Sequence, residues 1–189
     1  MDAEVEKADH AGLVNADIDP LACNDRNPEI RILQGSFKDA NPGWPEGEFE
    51  NQNNHSLVTR VEFGTASFLF MGDLEVAGIE LLVDYYNETP TANRLLDADV
   101  LQVGHHGSYN ATTLQLLNAV TPRVAVIPVG FWMFGAAADE GRFATFDYGH
   151  PRRSTVELLA SHPTCRSARC PAYPVDHLGS VAAARAVEL

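Results

Sequence analysis

Two apolar strands that each stop on a metal-competent cluster constrain this chain more than anything else in it. The run Ala66 to Met71 ends at Gly72-Asp73-Leu74-Glu75, and Val100 to Val103 ends at Gly104-His105-His106-Gly107-Ser108. A buried strand needs apolar residues on both faces, so polar groups appear only where the strand leaves the sheet. Carboxylate and imidazole groups at two such ends place chemistry on one rim of a sheet.

The surrounding pattern supplies the rest of an α/β layer. Leu57 to Phe63 sets Leu57, Thr59, Val61 and Phe63 against Val58, Arg60 and Glu62, the alternation of a half-buried strand. Gly64-Thr65 turns it into a hairpin with Phe68 to Met71. Helical spacing follows over Glu75 to Tyr86 and again over Ala111 to Val120, with Leu114 and Leu117 inward. Arg123 to Pro128 reads as a further strand. Ser154-Thr155-Val156-Glu157 reads as a capping box for a helix through Ala160. Ile30 to Leu33 forms a short early strand, Gly35 to Gln52 a loop, and Ala172 to Val175 with Ser180 to Ala184 a terminal strand pair. Residues 1–29 are polar and aperiodic and read as a flexible lead-in to a domain over 30–189.

Composition narrows the partners. The net charge of -13 comes with two lysines, Lys7 and Lys38, which disfavours long nucleic acid or an anionic membrane as a bulk electrostatic partner. No apolar stretch reaches the ~20 residues of a membrane span. The charged start, Met1 to Asp9, shows no signal peptide, so the cytoplasm is the default location. Cys23, Cys165 and Cys170 make no zinc-ribbon spacing; Cys165 and Cys170 either bridge in an oxidising compartment or stay as two thiols.

Asp73 has two readings on local pattern: an N-cap for the following helix, or a carboxylate held out to bridge metal ions. In an extended segment His105 and His106 point to opposite faces, so one serves as ligand and the other as hydrogen-bond or proton donor. His150, in Tyr148-Gly149-His150-Pro151, and His55, at the far end of the hairpin, complete the candidates. His10, His162 and His177 stand in polar contexts and read as solvated. Imidazoles and carboxylates around divalent ions suit hydrolysis. No Gly-x-Ser-x-Gly elbow or glycine-rich phosphate loop offers a rival chemistry.

At these residues the chain resembles the metallo-β-lactamase fold hydrolases, and within them the C-terminal domain of ComEC-type competence proteins and its stand-alone relatives. The matching pieces are Asn54-His55-Ser56-Leu57-Val58, Phe70 to Glu75, Ala98 to Ser108, Pro122 to Ile127 and Tyr148-Gly149-His150-Pro151, in the family's order. The resemblance implies an αββα sandwich with two zinc or manganese ions on one rim. It implies Asp73 as bridging carboxylate and His150 as a late histidine ligand. The His105-His106 pair falls beside the site as ligand, or as phosphate contact and acid, and His55 where many members carry a ligand.

The family's His-x-His-x-Asp-His motif is absent from the 189 residues. The chain therefore reads as the C-terminal half of such a domain: a truncated frame, an excised piece or one part of a split protein. The expected function is metal-dependent hydrolysis of a phosphodiester or a small ester, lactone or β-lactam, once the N-terminal half is supplied. The alternative is a non-catalytic remnant or binding module. The expected partners are a small-molecule or phosphodiester substrate and the missing half, or a second copy through self-association.

Overall fold

The computed structural model describes residues 12, 14, 18–19, 28–88, 93–129, 148–165 and 186–188. Ten elements position the site: strand β1 (Glu29–Gln34), helix α1 (Glu46–Glu50), β2 (Val58–Phe63), β3 (Ala66–Phe70), α2 (Val76–Asn87), β4 (Val100–Gln102), α3 (Leu114–Val120), β5 (Val124–Val126), α4 (Arg153–Ser161) and β6 (Ala186–Glu188). The six strands form one mixed sheet in sequence order. β1, β2 and β3 pair antiparallel, β3, β4 and β5 run parallel, and β6 pairs antiparallel with β5. This is an α/β fold. Because the three central strands are parallel, their C-terminal ends emerge along one rim, which carries Asp73, His105 and Pro128.

The core lies between one face of this sheet and the helices. Leu69, Leu101 and Ala125 are in register across β3, β4 and β5 and fully buried. Ile79, Leu82, Val83 and Tyr86 of α2 and Leu116, Leu117 and Val120 of α3 join them in one apolar cluster. Each such side chain contributes about 1.5–3 kcal/mol of burial. Tyr86 anchors the far edge by donating its hydroxyl to the Leu33 carbonyl at 2.9 Å.

Several expectations change here. A half-buried strand normally turns its apolar row inward, yet in β2 the buried residues are Val58 and Arg60, while Leu57 just before it and Phe63 are exposed. Arg60 tolerates burial because its guanidinium donates to Glu62 and to the Leu95 and Asp97 carbonyls. Leu114 is 55% exposed, because α3 starts at that residue and its phase turns Leu116 and Leu117 inward. Ser154 does not cap α4: the helix begins earlier, with Arg152 at the cap, and Glu157 pairs with Arg153 instead. The stretch read as a loop contains α1. His162 is buried between Thr164 and Asn118 rather than solvated.

The opposite sheet face carries the rows Ile30, Val61, Phe68, Val100, Val124 and Ile32, Thr59, Phe70, Gln102, Val126. Its members are half-buried or exposed, with Phe70 42% and Val126 38% exposed. Most of the lead-in, Cys23, Cys170, His10, His177 and the terminal strand pair lie outside the described residues. Where the lead-in is described, it lies against β1: Gly12 sits beside Leu33, and Asp19 accepts from the Ile30 N–H. Cys165 is a buried free thiol, and burial pushes it above the ordinary thiol value.

Candidate functional site at the sheet rim

The strand ends bring Asp73, His105, His106 and His150 together. His106 Nε2 lies 3.8 Å from Asp73 Oδ1. The His105 ring centre is 5.3 Å from that of His150 and 6.3 Å from that of His106. Asp73 is not the helix cap, since Glu75 holds that position. The Asp73 backbone N–H donates to Ser56 Oγ at 3.2 Å, which pins the strand end.

The His105-His106 turn is not extended. Both residues are left-handed, at φ 45° and 53°, which costs non-glycine residues on the order of 1–2 kcal/mol each. Strain of this kind collects where a side chain must be aimed. The two rings still diverge. The Pro128 carbonyl only accepts, so His106 donates from Nδ1 at 2.7 Å and turns Nε2 toward Asp73. His105 turns the other way, toward Glu75 and His150. Glycine at Gly107 is required by φ +80° and by Pro151, whose Cβ lies 2.8 Å from where a side chain would begin. That packing locks the turn to the His150 loop, as do the Arg152 N–H to Gly107 carbonyl bond and the Thr155 hydroxyl to Ser108 carbonyl bond.

His150 is 8% exposed, and its buried Nδ1 has no partner among the described residues. Burial first, then the nearby His105, Arg152 and His106 charges, push it below the ordinary 6.5; Asp73 pulls the other way. His105 Nδ1 also lacks a well-formed hydrogen bond among the described residues. Glu75 Oε1 lies 3.1 Å away but off the line of the N–H.

His55 stands apart from this cluster. The Phe37 N–H donates to its Nδ1 at 3.0 Å, and its Nε2 pairs with the Phe49 carbonyl at 2.6 Å. Both ring nitrogens are spent, so no lone pair remains for an ion.

Sequence reasoning passed over Glu75 and the asparagines before β2. Asn51 and Asn53 donate to the two Glu75 oxygens at 2.9 and 2.8 Å. Asn54 is fully buried and accepts from the Gly78 N–H. The available signal was a carboxylate two residues after Asp73 and three asparagines within Asn51 to Asn54.

The sequence profile of the metallo-beta-lactamase superfamily matches residues 9–130. The chain belongs to that superfamily. The match begins inside the stretch read as a lead-in. The chain is 30% identical over 137 residues to ComE operon protein 3 of Bacillus subtilis (strain 168), covering 72% of this chain and 15% of that protein. It is 44% identical over 80 residues to Recombination protein 2 of Haemophilus influenzae, covering 42% and 9%. It is 40% identical over 81 residues to Competence protein ComA of Neisseria gonorrhoeae, covering 43% and 11%. The chain thus spans a small part of these relatives. No solved structure matches it.

Members of the superfamily typically use divalent metals. Among the described residues, no three His, Cys, Asp or Glu side chains are placed to hold an ion. The His150 Nδ1, without a partner among the described residues, suits a cation, but the described residues do not make a metal centre by themselves. Among the described residues, no helix is long and apolar enough to cross a membrane.

Proposed function

We propose that this chain contributes one rim of a metal-dependent hydrolase of the ComEC type, with a phosphodiester as substrate. The observation that carries the reading is the convergence of Asp73, His106, His105 and His150 at parallel strand ends, with the buried Nδ1 of His150 without a partner among the described residues. In this reading, Asp73, His150 and His105 act as partial ligands, and the ions, zinc or manganese, need the ligands of a His-x-His-x-Asp-His segment from outside these 189 residues. His55 is left out of the set, since its nitrogens are engaged. His106 holds or gives up a proton at Nε2, close to Asp73. The half-covered apolar sheet face is where the complementary half docks, and without it the chain self-associates.

The test is reconstitution. The chain is mixed with a partner half carrying the motif, and hydrolysis of bis(p-nitrophenyl) phosphate is followed with zinc or manganese. Activity is expected only in the mixture and is lost in Asp73→Ala. Equal hydrolysis by the monomeric chain alone would reject the reading. The second reading is a non-catalytic binding module that keeps the fold's second half for packing. A mixture that binds the partner half but never hydrolyses would establish it.

A further inference from the structure

We propose that Glu75 is a positioning residue that fixes the tautomer of His105, through a relay from Asn51 and Asn53 to Glu75 to His105. The proposal rests on the hydrolase reading above for its consequence, but not for its geometry.

Glu75 occupies the cap of α2 with an extended backbone, yet its side chain makes no capping bond. Its carboxylate is turned away from its own helix. Oε2 accepts from Asn51 Nδ2 and Oε1 from Asn53 Nδ2. Asn51 is itself held, since its Oδ1 accepts from the Asn53 N–H at 3.1 Å. Oε1 thereby lies 3.1 Å from His105 Nδ1, off the line of its N–H but within close electrostatic reach, with the Glu75 side chain only 14% exposed. A nitrogen lone pair at that distance would be repelled by a carboxylate oxygen, whereas an N–H is attracted. The proton therefore sits on Nδ1, and Nε2 is left as the acceptor nitrogen. The left-handed His105 backbone, bonded from its N–H to the Gly72 carbonyl at 3.0 Å, puts the ring in reach of this carboxylate. A carboxylate behind an imidazole orients the ring and raises its basicity.

The experiment is a long-range proton–nitrogen NMR correlation on the 15N-labelled full chain at about pH 8, where an ordinary imidazole is neutral. Wild-type His105 is expected as the Nδ1–H tautomer. Glu75→Ala shifts the ratio several-fold toward Nε2–H, and the isosteric Glu75→Gln, which keeps the volume but loses the charge, shifts it less. Loss of a cap side chain that makes no capping bond leaves α2 intact, and the amide spectrum checks this. An Nε2–H tautomer in wild type, or an unchanged ratio in both folded variants, overturns the proposal. In the reconstituted hydrolase, Glu75→Ala lowers kcat about 10–100-fold with KM little changed; a shifted tautomer with unaltered kcat overturns the positioning role. A tautomer shift in a mixture that never hydrolyses sinks the hydrolase reading and leaves the relay standing.

Discussion

The two ends of the parallel strands treat polar groups in opposite ways. At the N-terminal ends, a cleft of about 610 Å³ is lined by Arg60, Ser67, Asp97, Asp99, Thr121 and Arg123, among others. Arg60 there is bonded to Glu62 and to two carbonyls. Burial would raise the Asp99 carboxyl, but bonds from the Ser67 N–H and hydroxyl, together with Arg123, hold it below the ordinary value. Thr121 is bonded to Asp97. At the C-terminal ends, two imidazole nitrogens have no well-formed bond among the described residues and two histidines are left-handed. Satisfied polarity is architecture, whereas unsatisfied polarity and strain collect at the rim proposed as the site.

The strongest way to break this contrast is Arg60→Met. It leaves the Leu95 and Asp97 carbonyls without their donor and is expected to cost about 3 kcal/mol in urea unfolding. Gly107→Ala comes next. It combines a left-handed position with a contact against Pro151 and should cost about 2 kcal/mol, while disturbing the His105, His106 and His150 resonances together.

Acid sharpens the contrast. His150 has a depressed value in the folded state, so below about pH 6.5 the unfolded chain binds more protons. Stability is therefore full above that range and falls as pH drops toward the folded value. His150→Gln should flatten this loss, as read by unfolding midpoints across pH. The smallest effect is a gain. His106→Gly relieves a left-handed backbone but loses the Pro128 bond, so stability should hold or rise by up to about 1 kcal/mol. A clear loss would show that the turn is not strained.

Much of the fold was legible because its signals are local. The Gly64-Thr65 hairpin, the apolar runs of β3 and β4 and the helical spacing of α2 each depend on neighbours within one element. The β2 pattern misled because Arg60 finds its carbonyl partners 35 and 37 residues away, and no window along the chain shows them.

The sequence by itself determined that Asp73 and the two histidines stand at strand ends, because an apolar run can end only where polar groups reach solvent. Tertiary structure alone decided how each is used. Phe37 and Phe49 consume the nitrogens of His55, and Pro128 fixes the proton of His106. Glu75 turns from its own helix to His105. An imidazole becomes ligand, acid or staple according to what its second nitrogen meets, and the chain brings that partner from elsewhere in the fold.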